Sequence, residues 1–142
     1  MRFLIKKKVT LLFCIFAFSA NPLFAQSTQA ENNHFKIAQS MFGEGAYANA
    51  AQEFKQFIIN FPTSERLPDA LLQLGEAYAR GNQSQEAIEA YQQFIDRYPS
   101  HFAVASAMRS KAQALEQIQE YNKAGQAYEN VHASYPEGEY AV

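Results

Sequence analysis

The chain has 142 residues, of which 48% are hydrophobic and 18% are charged, so it has apolar material for one compact core and is not a disordered chain. Four of the 12 basic residues lie within the first eight positions, and without them eight basic residues face 14 acidic ones, a net charge of −6. An acidic surplus argues against nucleic-acid binding, because affinity for a phosphate backbone comes from Lys and Arg.

Residues 1–25 have the three-part layout of a secretory signal peptide. A cationic start is followed by a twelve-residue apolar run, residues 9–20, and by a helix break at Pro22. A helix of that run rises about 18 Å, short of the roughly 30 Å hydrocarbon core, so removal is favoured over membrane anchoring. We expect cleavage after Ala25, with Ala20 as the alternative.

The only cysteine lies inside this segment. Cys14 follows Phe13, where a lipoprotein signal carries a small residue, and it stands within the apolar run rather than at its end. We therefore expect it to be discarded, which leaves a mature chain without disulfides or thiolate metal sites. Residues 26–33 are polar and lack a helical apolar stripe, which predicts a short flexible leader.

An internal repeat organises the rest of the chain. An aromatic-Pro pair recurs at an interval of 37 residues, as Phe61-Pro62, Tyr98-Pro99 and Tyr135-Pro136. Small and aromatic positions such as Ala50, Ala87 and Ala124 recur at the same interval. The pattern predicts three units, at about 34–63, 64–100 and 101–137, followed by the start of a possible further unit.

The apolar residues of the middle unit have helical spacing. They lie at i, i+3, i+4 and i+7, as Leu71, Leu74, Gly75 and Tyr78. Gly81 is expected as a left-handed helix end, and Asn82 with Gln85 resembles a capping box for the following helix. No stretch reads as a strand. We predict an all-α chain with helices near residues 34–43, 46–60, 67–80, 83–97, 102–118 and 121–134.

These residues match the tetratricopeptide pattern. The match runs from Leu71-x2-Leu74-Gly75-x2-Tyr78 to Ala87-x3-Tyr91 and Pro99, and the flanking units follow it more weakly. Gly75 and Ala87 are small, which lets the two helices of a pair approach closely. Tyr78 and Tyr91 are expected to fill the space between pairs. The fold class predicted is a tetratricopeptide-repeat solenoid of about three helix-turn-helix units.

The interval of 37 residues and two phrases, residues 54–64 and 91–100, are distinctive. They resemble the bacterial envelope subfamily of tetratricopeptide proteins, which includes YbgF-type (CpoB) Tol-Pal coordinators and BamD-type outer-membrane assembly lipoproteins. The resemblance covers roughly residues 34–142. It implies a non-catalytic periplasmic adaptor, in which the first helix of each unit lines a concave groove that holds a partner peptide or domain.

Carried over position by position, the resemblance implies ten groove-facing residues. They are Phe35, Gln39, Phe42, Asp69, Leu72, Glu76, Arg80, Arg109, Gln113 and Glu116. Phe35, Phe42 and Leu72 fall off the expected core stripe, which consists of Ile37, Met41, Leu71, Leu74 and Tyr78. Exposed apolar residues on a shared face suggest a partner. The alternative is that Phe35 and Phe42 pack under the leader or that the first repeat is tilted.

Nothing in the sequence points to catalysis. The three histidines, His34, His101 and His132, lack ligands at helical spacing, so no metal site is expected. His132 takes the place of apolar residues in the repeat and is expected to be partly buried. Glu86 with Glu89, and Glu116 with Glu120, lie on single exposed faces and are read as solvated. We expect no enzyme activity and no cofactor.

The last residues, Tyr135 to Val142, align with the opening of another unit. We expect either a longer repeat protein or a second copy that covers the apolar face around Tyr128, Val131 and Tyr135. The function expected is a scaffold for envelope partners, without a membrane span after cleavage. The alternatives are a spacer in a longer secreted repeat protein and the N-terminal part of a multidomain hydrolase with its active site elsewhere.

Overall fold

The computed structural model describes residues 22–135, which form six α-helices and no strand. The helices are α1 (Pro22–Gly43), α2 (Tyr47–Asn60), α3 (Leu67–Arg80), α4 (Ser84–Arg97), α5 (Val104–Gln117) and α6 (Tyr121–Ser134). The predicted all-α class is confirmed. Helices α2 to α6 begin and end within about two residues of the predicted bounds, which is the usual uncertainty of a helix end.

The first helix is longer than predicted. It has 22 residues, whereas each of the other five has 14. Residues 26–33, predicted as a flexible leader, are therefore helical. Gln29 Nε2 donates to Asn33 Oδ1 at 2.9 Å along the helix, and Ser64 Oγ donates to Glu31 from the loop before α3. These contacts support the first part of the helix, residues 26–33, although that part lacks an apolar stripe.

The predicted signal peptide is only partly covered by the described residues. The bond after Ala25, where cleavage is expected, lies within α1. Residues 1–21 lie outside the described part of the chain, together with the alternative cleavage site at Ala20. The signal peptide therefore stays a prediction.

The three turns within helix pairs share one backbone conformation. Gly45, Asn82 and Gln119 have φ of 80°, 59° and 64° and stand 37 residues apart, the repeat interval. After α3, the Gln83 N–H donates to the Tyr78 carbonyl at 2.9 Å and the Asn82 N–H to the Ala79 carbonyl at 3.3 Å. Equivalent bonds follow α1 and α5. This is a Schellman motif, which satisfies carbonyls at the helix end.

Two details of the predicted turn are wrong. Gly81 has φ of −83°, so the left-handed residue is Asn82, one position later. The residue before α4 is Gln83, and no side-chain hydrogen bond caps that helix, so the Asn82–Gln85 capping box does not form. Backbone hydrogen bonds of the turn satisfy the carbonyls at the end of α3, so the boundary between α3 and α4 is defined without a side-chain cap.

Each helix packs against its neighbours in the chain, as in a solenoid. Within residues 22–135, α3 and α5 also contact each other, whereas no comparable contact joins α2 to α4 or α4 to α6. Helices α3 and α5 are therefore closer together than α2 and α4 or α4 and α6, and a hydrogen bond between Gln39 and Gln73 joins α1 to α3. The odd-numbered helices form the inner, concave side of the stack, and α2, α4 and α6 form the outer side.

Two apolar clusters make up the core. The first is centred on Phe54 and Phe57 of α2, and the second on Leu71 of α3 and Phe94 of α4; these four are the largest fully buried side chains. In the second cluster, Gly75 faces the ring of Tyr91, and a Cβ added there would lie 2.7 Å from Tyr91 Cε1. The predicted close approach of α3 and α4 at Gly75 is confirmed.

The buried residues of α1 differ from the core residues that the sequence predicted. Ile37, predicted as core, is 49% exposed, whereas Leu74, one repeat later, is 6% exposed and packs with the α2 aromatics. The difference arises because α2 covers the Leu74 face of α3, and no described helix covers the Ile37 face of α1. Position in the stack, rather than residue type, decides burial here.

The apolar face of α6, which the sequence predicted to be open to solvent, is partly buried. Val131 of α6 is 7% exposed, and Tyr128 and Tyr135 are half-buried. His132, predicted to be partly buried, is exposed. The outward positions of α6 carry mostly polar residues, so its surface is more hydrophilic than the apolar repeat pattern suggests.

Candidate functional site

The inner surface contains a groove between α3 and α5, which we call the α3–α5 groove. Its volume is about 410 Å³. The α3 wall consists of Leu72, Glu76, Ala79 and Arg80, and Tyr91 of α4 lines the floor. The α5 wall consists of Ser106, Ala107, Ser110, Gln113, Ala114 and Gln117, with Ala103 just before the helix beside them. Four of these residues, Leu72, Glu76, Arg80 and Gln113, were predicted to face a groove.

The floor of the α3–α5 groove is neutral. Tyr91 is 5% exposed, and its hydroxyl pairs with the Ser110 side chain. Burial raises the pKa of Tyr91 to about 12, against a partial opposing effect of the Ser110 bond. A phenol with that pKa stays protonated and uncharged throughout the physiological pH range.

The rim of the groove carries one ion pair. Arg80 Nη2 donates to Glu76 Oε1 at 2.7 Å, one helical turn away. The same guanidinium lies 5.1 Å from the centre of the Phe42 ring and 6.0 Å from that of Tyr47. A hydrogen bond to Tyr47 and the pairing with Glu76 both raise the pKa of Arg80. Arg80 is thus held in place by groups of the first and second repeats.

The corresponding space between α1 and α3 contains an aromatic side chain, Phe42. Phe42 is half-buried there, with its ring 5.4 Å from that of Tyr47 and Arg80 over its face. Gln39 Nε2 donates to Gln73 Oε1 at 3.4 Å across the same space. One repeat later, the position of Phe42 is taken by Ala79 and that of Gln73 by Ser110. Smaller side chains at these positions account for the α3–α5 groove.

The first predicted anchor is wrong. Phe35 is 2% exposed and lies in the core, with its ring centre 5.8 Å from that of Phe54 and 5.2 Å from that of Phe57. Arg66 covers the ring, with its guanidinium carbon 5.1 Å from the centroid. Phe35 faces α2 because α1 has Phe35 and Ala38 as its buried stripe. Phe35 is therefore a core residue between α1 and α2, which differs both from an exposed anchor and from packing under residues 26–33.

The remaining predicted residues lie on the inner helices outside the α3–α5 groove. Gln39 and Asp69 are exposed, and Phe42 is half-buried under Arg80. Arg109 is half-buried on α5. Glu116 accepts a hydrogen bond from the Tyr128 hydroxyl at 3.1 Å, between α5 and α6. Burial, followed by this contact with Glu116, raises the pKa of Tyr128.

Several groove residues were missed by sequence reasoning. Ser106, Ser110 and Gln117 are polar and small or flexible, so no apolar stripe or charge marks them. They occupy the positions of Asp69, Gln73 and Arg80, one interval later. A comparison of side-chain volumes at equivalent repeat positions could have revealed the groove, because smaller residues stand on its walls than one repeat earlier.

The outer surface has grooves of similar size. One of about 350 Å³ lies between α4 and α6, and one of about 380 Å³ lies between α2 and α4. The second exposes Ile59 and places Tyr78 near two carboxylates; burial, then Glu86 and Glu89, raises the pKa of Tyr78. Volume alone therefore does not distinguish the inner groove. The α3–α5 groove is distinguished instead by its position, where α3 and α5 meet over Tyr91.

The histidines occupy separate places. His34 Nε2 lies 2.9 Å from Glu53 Oε2 but makes no hydrogen bond of acceptable angle. His101 precedes α5, where its Nδ1 accepts the Ala103 N–H at 3.2 Å. Among the residues described, no group of three or more His, Cys, Asp or Glu side chains could hold a metal ion.

No helix within residues 22–135 combines the length and apolar character needed to cross a membrane. The curated proteins include no match to the sequence. A family model of the tetratricopeptide repeat matches residues 33–64 and 69–101, which are the first two units.

Two solved structures resemble the fold. The TPR domain of Arabidopsis FLU aligns with a TM-score of 0.64 and 18% identity, over 75% of this chain and 95% of that domain. The MamA RS-1 ArsTM double mutant aligns with a TM-score of 0.62 and 24% identity, over 75% of this chain and 56% of the MamA chain. The aligned region thus spans little more than half of MamA. Together with six stacked helices and two matched repeats, these alignments show that the chain has the fold of a tetratricopeptide-repeat solenoid.

Proposed function

We propose that the protein is a non-catalytic scaffold that binds a partner peptide or domain in the α3–α5 groove. The observation that carries this proposal is the open space between α3 and α5 at a position that Phe42 and Arg80 fill one repeat earlier. Tetratricopeptide solenoids use their concave surfaces to bind other proteins. The groove is lined by both apolar and polar side chains, including Leu72, Gln113 and Gln117.

We further propose that the scaffold works in the periplasm and serves an assembly process of the cell envelope. The cationic and apolar layout of residues 1–25 supports export. The resemblance of residues 54–64 and 91–100 to envelope tetratricopeptide proteins supports the envelope role. Cell fractionation, with mass measurement of the exported chain, tests export directly. A chain retained in the cytoplasm with residues 1–25 intact would contradict it.

Groove binding is tested with a blocking variant and a matched control. Gln113 is exposed and lines the groove, so Gln113→Trp places a large ring in it without disturbing the core. Gln52 is exposed on α2, and Gln52→Trp adds the same ring to the outer side. Both variants are compared with the unmodified chain by crosslinking and mass spectrometry in envelope extracts, after circular dichroism shows equal helicity.

We expect a partner that is captured by the unmodified chain and by Gln52→Trp, and lost with Gln113→Trp. Equal capture by all three proteins would reject the groove as the binding site. Capture by none would instead favour a spacer in a longer protein, or a repeat module of an enzyme whose active site lies elsewhere.

A further inference from the structure

The outer groove between α2 and α4, which we call the α2–α4 groove, has an apolar floor. Its volume is about 380 Å³. Ile59 of α2 is 60% exposed, and Ile58 and Tyr78 beside it in the groove lining are half-buried. Leu74 and Ala90 also line the groove and are almost fully buried. A side chain placed in this groove would remove the exposed surface of Ile59 from water, which is favourable.

The rim of the α2–α4 groove is acidic. Glu86 and Glu89 are exposed on the α4 wall, and Lys55 on the α2 wall is the only cation among the lining residues. The ion pairs found within residues 22–135 join other side chains, so no salt bridge neutralises these two carboxylates. Burial, followed by the negative charges of Glu86 and Glu89, raises the pKa of Tyr78. The neutral phenol therefore lies in a negative potential at the edge of the apolar floor.

The next groove along the outer surface, between α4 and α6, has the opposite charge. Lys111 and Lys123 line it, with Glu120 as the one carboxylate among its lining residues. Lys123 stands one repeat interval after Glu86, so the charge at this position is reversed between the two grooves. The acidic rim is therefore a property of the α2–α4 groove and not of the outer surface as a whole.

From these observations we infer that the α2–α4 groove is a second docking surface, which binds a basic amphipathic segment of a partner protein. An apolar side chain of that segment packs on Ile59 and Tyr78, and a neighbouring Lys or Arg pairs with Glu86 or Glu89. Acidic segments are disfavoured, because like charges would meet at the rim. The α2–α4 groove lies on the outer side of the solenoid, so this inference goes beyond the proposed function and does not depend on it.

Three capped peptides test the inference without an identified partner. Acetyl-Leu-Lys-Leu-Lys-amide has both features, acetyl-Leu-Glu-Leu-Glu-amide has the opposite charge, and acetyl-Ser-Lys-Ser-Lys-amide lacks the apolar side chains. Each is titrated at low salt into the ¹⁵N-labelled full chain, and the amide shifts of Ile59, Tyr78 and Glu89 are followed by NMR. We expect the first peptide to reach half-saturation at a concentration at least about fivefold lower than either of the others, because loss of a buried aliphatic side chain or of two exposed ion pairs weakens binding by about that factor.

A pair of charge variants separates the rim from the net charge of the protein. Glu86→Gln combined with Glu89→Gln removes both carboxylates of the α2–α4 groove and keeps the size of the side chains. Glu65→Gln combined with Glu129→Gln changes the net charge equally at exposed sites outside the groove. We expect the first variant to raise the half-saturation concentration of the Leu-Lys peptide by about fivefold and the second by less than about twofold, since salt screens distant charges. Circular dichroism checks that both variants are folded.

Four results would each overturn the inference. They are binding of the acidic peptide or of the Ser-containing peptide as tight as that of the Leu-Lys peptide, unchanged binding in the Glu86/Glu89 variant, absence of any shift in the α2–α4 groove, and shifts at Lys123 as large as those at Ile59. The last result would show that the peptide does not distinguish the two outer grooves. Partner capture through the α3–α5 groove is measured separately with Gln113→Trp, so the two proposals can fail independently.

Discussion

The Cα of Gly75 faces the ring of Tyr91 so closely that a Cβ would lie 2.7 Å from Cε1 and 2.8 Å from Cδ1. Carbon atoms that are not bonded to each other pack best at about 3.5–4.0 Å, so only glycine fits here without a shift of the ring. The ring in turn lines the floor of the α3–α5 groove. The packing of a helix pair and the shape of the candidate site thus depend on the same contact.

Gly75→Ala should destabilise the protein. Overpacking against Tyr91 costs about 1–3 kcal/mol, and the better helix propensity of Ala offsets about 1 kcal/mol, so we expect a net loss of up to about 2 kcal/mol. Gly125→Ala is the matched control. A Cβ at Gly125 meets nothing within 4 Å, and the residue lies inside α6, so this variant should gain about 0.5–1 kcal/mol. Urea unfolding measures both, and equal effects would contradict the packing argument.

Phe35→Ala should cost about 3–5 kcal/mol, because it removes a buried ring that contacts Phe54 and Phe57. Ile37→Ala, two residues away and half exposed, should change stability by no more than about 1 kcal/mol. Thermal and urea unfolding compare the two variants. If Phe35→Ala leaves stability intact but weakens partner binding, Phe35 faces a partner rather than the core.

The left-handed turn positions predict opposite effects of glycine. Gln119 has φ of 64°, which costs a residue with a side chain about 1–2 kcal/mol, so Gln119→Gly should stabilise by about 0.5–1 kcal/mol after its extra chain entropy is counted. Gly45→Ala should destabilise by about 1 kcal/mol for the same reason. Melting temperatures report both changes. A fall in stability of Gln119→Gly would show that the Gln119 side chain makes a stabilising contact.

The buried phenol predicts a loss of stability in alkali. The pKa of Tyr91 is raised by burial from 10.0 to about 12 in the folded protein, so folding favours the protonated form. Its contribution is complete below pH 10 and is lost as the pH rises through about 12. Tyr91→Phe should remove this part of the pH dependence, at a cost of about 1 kcal/mol from the lost Ser110 bond.

Unfolding curves measured between neutral pH and pH 12 test this prediction, and the phenolate absorbance follows the ionisation directly. Tyr78 and Tyr128 also have raised pKa values, so the comparison is made between the two proteins rather than within one. Parallel stability curves for the unmodified chain and Tyr91→Phe would show that Tyr91 ionises as easily as an exposed tyrosine.

Most of the fold could be predicted from the interval of 37 residues and the helical spacing around Leu71 and Ala87. These patterns repeat, so an error in one unit is corrected by its neighbours. The orientation of α1 could not be predicted in this way. Its apolar residues, including Phe35, Ile37 and Met41, lie on more than one face, and the choice depends on which faces meet α2. Burial at the edge of a stack is set by neighbours that the residue pattern does not specify.

The candidate site could be predicted only in part. Leu72, Glu76, Arg80 and Gln113 line the α3–α5 groove as expected, because groove-facing positions follow the repeat register. The depth of the groove was not predictable from those residues. The depth depends on small side chains, such as Ala79 at the position where the first repeat has Phe42. A small residue at one position forms no recognisable sequence motif.

The three left-handed turns described above carry a consequence for how such a chain can change. Each turn is closed by main-chain bonds to the preceding helix, with Gly, Asn or Gln at its centre. Residue identity there can vary at a cost of about 1 kcal/mol, since the bonds do not use side chains. An insertion or deletion inside a helix is more disruptive, because one residue rotates the rest of that helix by about 100° and turns its buried stripe to solvent. Whole units of 37 residues are therefore the natural step by which this protein can grow or shrink.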